Sequence, residues 1–331
     1  MSLEIEDLRV SFASDGGVVR ALRGVDLAVA DGEMVGLVGE TGCGKSVTGL
    51  AVLGLVPPPG RIEAGRIRFD GEDLLAKSPN EMRRIRGRRI GTVFQDPSAA
   101  LNPVFRIGAQ IELVLRAHDA VPAREVAARI HALLADVGLP ETERVARSYP
   151  HQLSGGMQQR VVIAMALACG PSLLIADEPT TALDVTVQDQ ILELLVELKR
   201  RRSLAVLLIT HDLAVVARTC ERIAVLYAGR VVEEGPSEAV LRSPKHPYTQ
   251  GILAALPAPE RRRKGLVAIA GSVPTGVEDF AGCSFAPRCP HVFARCRVVV
   301  PPPLPVGRDR RAECLLYEEG SPEAGAGEGV R

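Results

Sequence analysis

Apolar positions along the chain follow two rhythms. Short unbroken runs at Met34-Val35-Gly36-Leu37-Val38, Ile90 to Phe94, Leu173-Leu174-Ile175-Ala176 and Ala205 to Ile209 are too short for lone helices and predict buried strands. Residues 3–37 read as strands separated by turns, with Asp15-Gly16-Gly17 a hairpin signal, and residues 64–75 as a strand pair turning at Asp70-Gly71. The pattern turns helical after Gly44, where Val47, Leu50, Ala51 and Leu53 recur at helical spacing, and again from Val104 to Val145 and from Val161 to Leu167. The sum is an α/β protein whose sheet-containing core is interrupted by a helical insert.

Chemistry gathers where the predicted strands end. Gly39-Glu40-Thr41-Gly42-Cys43-Gly44-Lys45-Ser46 follows a buried strand and opens a helix ahead of Val47, the context of a phosphate-binding loop. Its glycines let backbone N–H groups wrap a phosphate chain, and the helix N-terminus adds partial positive charge. Lys45 would reach the outer phosphates and the Ser46 hydroxyl would hold Mg2+, so the chain binds a nucleoside triphosphate. Gln95 stands where the second buried strand exits, placed to contact a metal or water. Asp177-Glu178 end the third, where open parallel sheets bind ligands; Asp177 suits magnesium, and Glu178 suits orienting or deprotonating a water. His211 follows the fourth strand. Ser154-Gly155-Gly156 opens a helix with a good N-cap and exposed amides, a second anion-binding helix start. Phe12 closes the first strand, either as a base-stacking aromatic or as a core residue.

At 331 residues there is room for two domains, and 40 basic residues balance 40 acidic ones, which gives no global attraction to nucleic acid or anionic lipid. The arginine-rich stretch from Arg83 to Arg89 has no aromatic interleaving and reads as a solvated helix face. No apolar run reaches the roughly 18 residues that span a bilayer, and no secretory signal opens the chain. A cytoplasmic protein is expected, with any membrane role held through a partner.

Taken in order, these motifs resemble the nucleotide-binding subunit of an ABC transporter. Gly39 to Ser46 is similar to Walker A, Gln95 to the Q-loop glutamine, and Leu153 to Gln158 to the ABC signature. Leu173 to Glu178 is similar to Walker B, Thr181-Ala182-Leu183-Asp184 to the D-loop, and His211 to the switch histidine. Phe94-Gln95-Asp96-Pro97 with Leu101-Asn102-Pro103, Glu178 to Gln188, and Ser243 to Thr249 resemble the dipeptide/oligopeptide importer branch. The resemblance implies a RecA-like P-loop NTPase core with an antiparallel β-subdomain and an α-helical subdomain (about 104–168) within residues 1–256. It further implies a metal-binding extension over 257–317 and a disordered tail from 318.

It implies ATP and Mg2+ as ligands, the metal held by Ser46, Gln95 and Asp177, and head-to-tail dimers in which Ser154, Gly155, Gly156, Gln158 and Asp184 complete the partner's site. A sister ATPase (or a second copy), two permease subunits and an extracytoplasmic binding protein follow as partners, at the cytoplasmic face of the inner membrane, with no nucleic acid. The segment Asp96 to Phe105 resembles the surface that receives a permease helix. Nickel importers share the architecture, so nickel or another small solute stays open as cargo, as does a soluble redox-regulated ATPase without a permease. Cys43 replaces the serine common in the loop and is expected to lie open to alkylation beside the phosphates.

Of seven cysteines, Cys283, Cys289, Cys296 and Cys314 crowd the end with spacing C-x5-C-x6-C-x17-C, which lacks the close pair of common zinc fingers. Such a set argues for metal in a reducing compartment. Cys289 precedes Pro290 as in bacterial ferredoxins, and the importer branch associates this extension with a 4Fe-4S cluster. Zinc and free thiols are the alternatives.

Overall fold

The chain begins with a long hairpin, β1 (Leu3–Ser14) and β2 (Gly17–Val29), closed at Ser14 opposite Gly17 as the glycines at the turn require. It then crosses into a second sheet as β3 (Met34–Val38), passes through the glycine loop into α1 (Lys45–Val52), and returns as β4 (Gly60–Phe69) and β5 (Glu72–Asp73). These complete a four-stranded antiparallel sheet in the order β2-β1-β4-β5. The computed structural model describes residues 2–118, 121–181, 183–255, 269–274 and 280–318; Ala182, residues 256–268 and the tail from 319 lie outside them.

After α2 (Pro79–Ile85), β6 (Ile90–Val93) joins the second sheet. A helical block follows: α3 (Pro97–Ala100), α4 (Ile107–Ala117), α5 (Val126–Asp136), α6 (Thr142–Arg147) and α7 (Gly155–Ala166). Ile107, Ile111 and Leu115 of α4, Ile130, Leu133 and Leu134 of α5, and Val145 of α6 form one buried stripe each, which is why the block packs as a unit. Leu113, which falls off that stripe, is 70 % exposed. Gln110 accepts from the Asn102 N–H and donates to the Asn102 and Phe105 carbonyls, which fixes the loop between α3 and α4.

The chain then runs through β7 (Leu173–Asp177), α8 (Val185–Arg202), β8 (Ala205–Thr210), α9 (Leu213–Thr219), β9 (Arg222–Tyr227), β10 (Arg230–Pro236), α10 (Ser237–Arg242) and α11 (Pro247–Ala254). In the second sheet β6, β7, β8, β3 and β9 are mutually parallel neighbours, so their C-terminal ends share one rim. Both faces are covered. Val35, Leu37, Ile175 and Leu207 pack toward the antiparallel sheet, while Met34, Val38, Leu174 and Leu208 pack toward the helical block. Burial on both sides explains why these strands read as unbroken apolar runs.

The last two strands, β11 (Leu304–Gly307) and β12 (Arg310–Ala312), extend this same sheet, with β12 antiparallel to β10 through Glu233 opposite Ala312 and Glu234 opposite Arg311. The arginine run divides rather than forming one solvated face. Arg83 and Arg84 are exposed on α2, but Arg86 donates to the Leu53 and Gly54 carbonyls. Arg89 pairs with Glu72 and Asp70. No helix among the described residues is long and apolar enough to cross a membrane.

Candidate active site

The parallel rim brings together the loop after β3, Gln95 after β6, Asp177-Glu178 at the end of β7 and His211 after β8. In the loop, Gly42 and Gly44 take left-handed φ of 84° and 111°, which an L side chain resists. A Cβ on Gly44 would lie 2.7 Å from the Ala21 carbonyl. Lys45 is buried and donates to the carbonyls of Gly39 (2.8 Å) and Glu40 (3.1 Å), and it bonds to no carboxylate among the described residues. A buried ammonium held by neutral carbonyls keeps charge available for an anionic ligand. Ser46, at the start of α1, donates to Asp177 Oδ1 at 3.1 Å. Burial, aided by the charge of Glu178, pushes the Asp177 pKa up against the Ser46 hydrogen bond and the Lys45 charge, the environment a cation would relieve. A hydroxyl and a carboxylate are hard oxygen donors and fit Mg2+.

Glu178 sits in the left-handed region at φ 47°, a conformation costing about 1 kcal/mol or more that recurs at functional sites. It aims the carboxylate into a converging set. Thr181 donates to Oε2 at 2.8 Å, Gln95 donates to the same oxygen at 3.2 Å, and His211 Nδ1 meets Oε1 at 3.2 Å. Burial pushes its pKa up, but the Thr181 and His211 hydrogen bonds, with the His211 and Lys45 charges, outweigh it and hold the carboxyl below its ordinary range. Gln95 therefore contacts Glu178 and not Ser46 or Asp177. The sequence places Thr181 only in the D-loop-like stretch; its position three residues after Glu178 is the signal for this contact.

Three other candidates are differently engaged. Cys43 is 0 % exposed, belongs to the core cluster shared with the antiparallel sheet, and burial raises its pKa. The expectation of an open, alkylatable thiol is therefore corrected: the sulfur lies 4.0 Å from Lys45 Nζ but is closed off from solvent. Gln158 spends its amide on the Pro150 and Leu153 carbonyls and faces Ser98. Phe12 is half-buried, pairs with Val19 and Gly60 in neighbouring strands, and packs on the same cluster as Val47.

Ser154 caps α7, accepting from the Met157 N–H at 3.3 Å, and leaves Gly155 exposed; Asp184 caps α8 through the Val187 N–H. Among the described residues no hydrogen bond joins Ser154 to Gln158 with this chain's own phosphate loop.

Cys283, Cys289, Cys296 and Cys314 all line one small pocket, with His246 and Phe285. Among the described residues no group of three acidic, histidine or cysteine side chains is disposed to hold a single metal ion. Burial pushes the thiols of Cys283, Cys289 and Cys314 up, the latter two to about 11 and about 12, and their neighbours' charges add to it. Against this, backbone N–H groups of Phe285, His291 and Leu316 face those three sulfurs and favour the thiolate. The four thiols share one pocket, and burial favours the neutral form of Cys283, Cys289 and Cys314 there.

A glycine loop, an acidic pair and a histidine on the rim of one set of parallel strands define an ATPase whose helical block carries a further capped glycine pair. Residues 22–181 match the ABC transporter family, and residues 232–296 match the oligopeptide/dipeptide transporter C-terminal region. The chain is 45% identical over 322 residues, 97% of each chain, to the dipeptide transport ATP-binding protein DppD of Haemophilus influenzae. It is 46% identical over 319 residues, 96% of this chain and 95% of the other, to a probable peptide ABC transporter ATP-binding protein of Sinorhizobium fredii. Among solved structures, the ATP-binding cassette MJ0796, a dimer bound to ADP and phosphate, superposes with TM-score 0.63 at 32% identity over 71% of this chain and 98% of that one. The chain belongs to the ATP-binding subunits of ABC transporters, in the oligopeptide/dipeptide branch, and it hydrolyses ATP to drive transport.

Proposed function

We propose that this chain energises the import of short peptides through a pair of permease subunits at the cytoplasmic face of the inner membrane. The observation that carries the reading is that likeness to dipeptide and peptide transport subunits runs nearly end to end, through the region matched at 232–296. Uptake of a labelled dipeptide by vesicles holding this chain with its permeases tests it. ATP-dependent uptake supports the reading, and uptake of nickel in its place overturns it.

In that role the backbone from Gly39 to Val47 and Lys45 hold the triphosphate, and Phe12 borders the base. Ser46 and Asp177, with Gln95 through water, are the residues that would hold Mg2+, which supplies charge neutralisation at the phosphates. Glu178 orients the attacking water and accepts its proton, and His211 holds the carboxylate and reaches toward the terminal phosphate. Ser154, Gly155 and Gly156, flanked by Gln158 and Asp184, complete the site of a second ATPase chain, either a sister subunit or another copy. The dimeric cassette MJ0796 supports that arrangement.

An apolar groove of about 580 Å³, lined by Leu53, Leu55, Phe94, Leu113 and Met165 beside the 96–105 segment, suits a short amphipathic helix of a permease. Gln95, next to that groove and bonded to Glu178, would couple the two. The four cysteines we assign to a 4Fe-4S cluster, with zinc as the alternative. Anaerobic purification with visible absorption and metal analysis tests this: a colourless, zinc-loaded protein overturns the cluster.

A further inference from the structure

The second residue of the phosphate loop, Glu40, is gripped from the far end of the chain. Both Arg288 nitrogens reach its carboxylate, Nη1 to Oε2 at 2.9 Å and Nη2 to Oε1 at 3.2 Å, a fork-on-fork pair across 248 positions. The Arg288 side chain is only 5 % exposed. Its Nε donates to the Ala270 carbonyl at 3.0 Å and its guanidinium lies 5.8 Å from the centre of the Tyr227 ring, so the fork is held from behind. The backbone of Glu40 is pinned as well. Its N–H donates to the Tyr248 hydroxyl at 2.9 Å, and its carbonyl accepts from Lys45 Nζ at 3.1 Å. Glu40 thus joins the lysine that meets the phosphates to the cysteine-bearing segment, in which Arg288 directly precedes Cys289.

We propose that Arg288 is a positioning residue for nucleotide binding, acting through Glu40. Two physical effects converge on it. A carboxylate in a loop built to receive a polyanion repels that ligand unless a cation neutralises it, and Arg288 neutralises Glu40 while drawing its side chain aside. The same pair fixes the stretch of backbone whose carbonyls place Lys45. Neither effect belongs to the hydrolytic chemistry of Glu178 and His211. The inference rests on the ATP site and is independent of the cargo and of the metal proposed for the cysteines.

The test is equilibrium binding of MgATP to the full chain, read by displacement of a fluorescent ATP analogue, with thermal unfolding as the check on folding. Arg288→Ala is expected to weaken MgATP about tenfold, within the range of coupling between linked sites. Glu40→Gln removes the charge that Arg288 neutralises but loosens its grip on the loop backbone, and is expected to weaken MgATP about twofold. Combined with Arg288→Ala it should bring affinity back to about that of Glu40→Gln alone, as coupling between direct partners requires. A folded Arg288→Ala with unaltered affinity overturns the proposal. So does a double variant as weak as Arg288→Ala alone, because a purely structural arginine would not be rescued by removing its partner's charge. Should Arg288→Ala fail to fold, Arg288→Lys is read in its place. About threefold weakening rescued by Glu40→Gln supports the proposal, and no weakening overturns it.

Discussion

The imidazole of His211 and the carboxylate of Glu178 meet at 3.2 Å, Nδ1 to Oε1, while Thr181 and Gln95 take the other oxygen. One carboxylate thus gathers three polar partners from three separate segments of the sheet rim. Its lowered pKa keeps it ionised throughout the neutral range, as a group that must accept a hydrogen bond from water requires. Glu178→Gln keeps the shape and loses the base. Steady-state ATP hydrolysis is expected to fall by about two to four orders of magnitude with MgATP binding retained. Unchanged turnover in that variant would falsify the role given to Glu178.

The glycines of the phosphate loop are unequal. At Gly44, with φ 111°, a Cβ meets the Ala21 carbonyl and Leu22 Cδ2, each at 2.7 Å; at Gly42, with φ 84°, it meets nothing within 4 Å. Gly42→Ala is expected to cost about 1–2 kcal/mol from backbone strain alone. Gly44→Ala should cost about 1–3 kcal/mol more, since backbone and packed side chain must both give way, and should abolish nucleotide binding. Denaturant unfolding of the two variants ranks them, and equal midpoints would refute the distinction.

Cys43 faces the core, which reverses the reactivity suggested by its place in the loop. N-ethylmaleimide is expected to leave Cys43 unlabelled in the folded chain, with or without MgATP, and to label it after denaturation. Peptide mapping of the labelled chain decides the matter. Rapid native labelling at Cys43 that MgATP suppresses would restore the exposed-thiol reading.

Glu33 makes two bonds to Arg222, at 2.9 and 3.1 Å, and accepts the Ala30 N–H at 2.8 Å. Burial pushes its carboxyl up, but Arg222 and the Ala30 amide outweigh it, so its pKa in the folded chain lies below the ordinary 4.5. A carboxyl with a lowered folded pKa contributes stability that is present above 4.5 and lost as pH falls through the folded value. Glu33→Gln should therefore lower stability at neutral pH and flatten its decline below pH 4.5. Thermal melts from pH 3 to 7 measure both, and an unchanged acid slope would count against the assignment.

The rim motifs were legible because each couples a local rhythm to a local chemistry. An apolar run ending in Asp177-Glu178, or in glycines before Lys45, states both a strand and its business end within a few residues. What stayed hidden depends on partners distant in sequence. Nothing near Arg86 shows that it reaches the Leu53 carbonyl, and nothing near Arg288 shows Glu40. The burial of Cys43 goes with a crowded site at Gly39, where a Cβ would meet the Leu226 carbonyl and, at 2.7 Å, the Cys43 sulfur, a tertiary constraint without local periodicity. The cysteine spacing says nothing of the strands β11 and β12, which join the ATPase sheet.

That joining has a consequence for how the molecule comes apart. Glu233 in β10 is 0 % exposed, with Arg310 and the Lys245 and His246 amides satisfying its carboxylate, while Arg311 answers Glu234. Cutting the chain back to a minimal cassette would take the arginine from buried Glu233, leave Glu234 with Arg222 alone, and bare the β10 edge to pairing with another molecule. The cysteine-bearing end is therefore no detachable appendage: it is expected to melt with the ATPase, and its loss to promote aggregation of the whole.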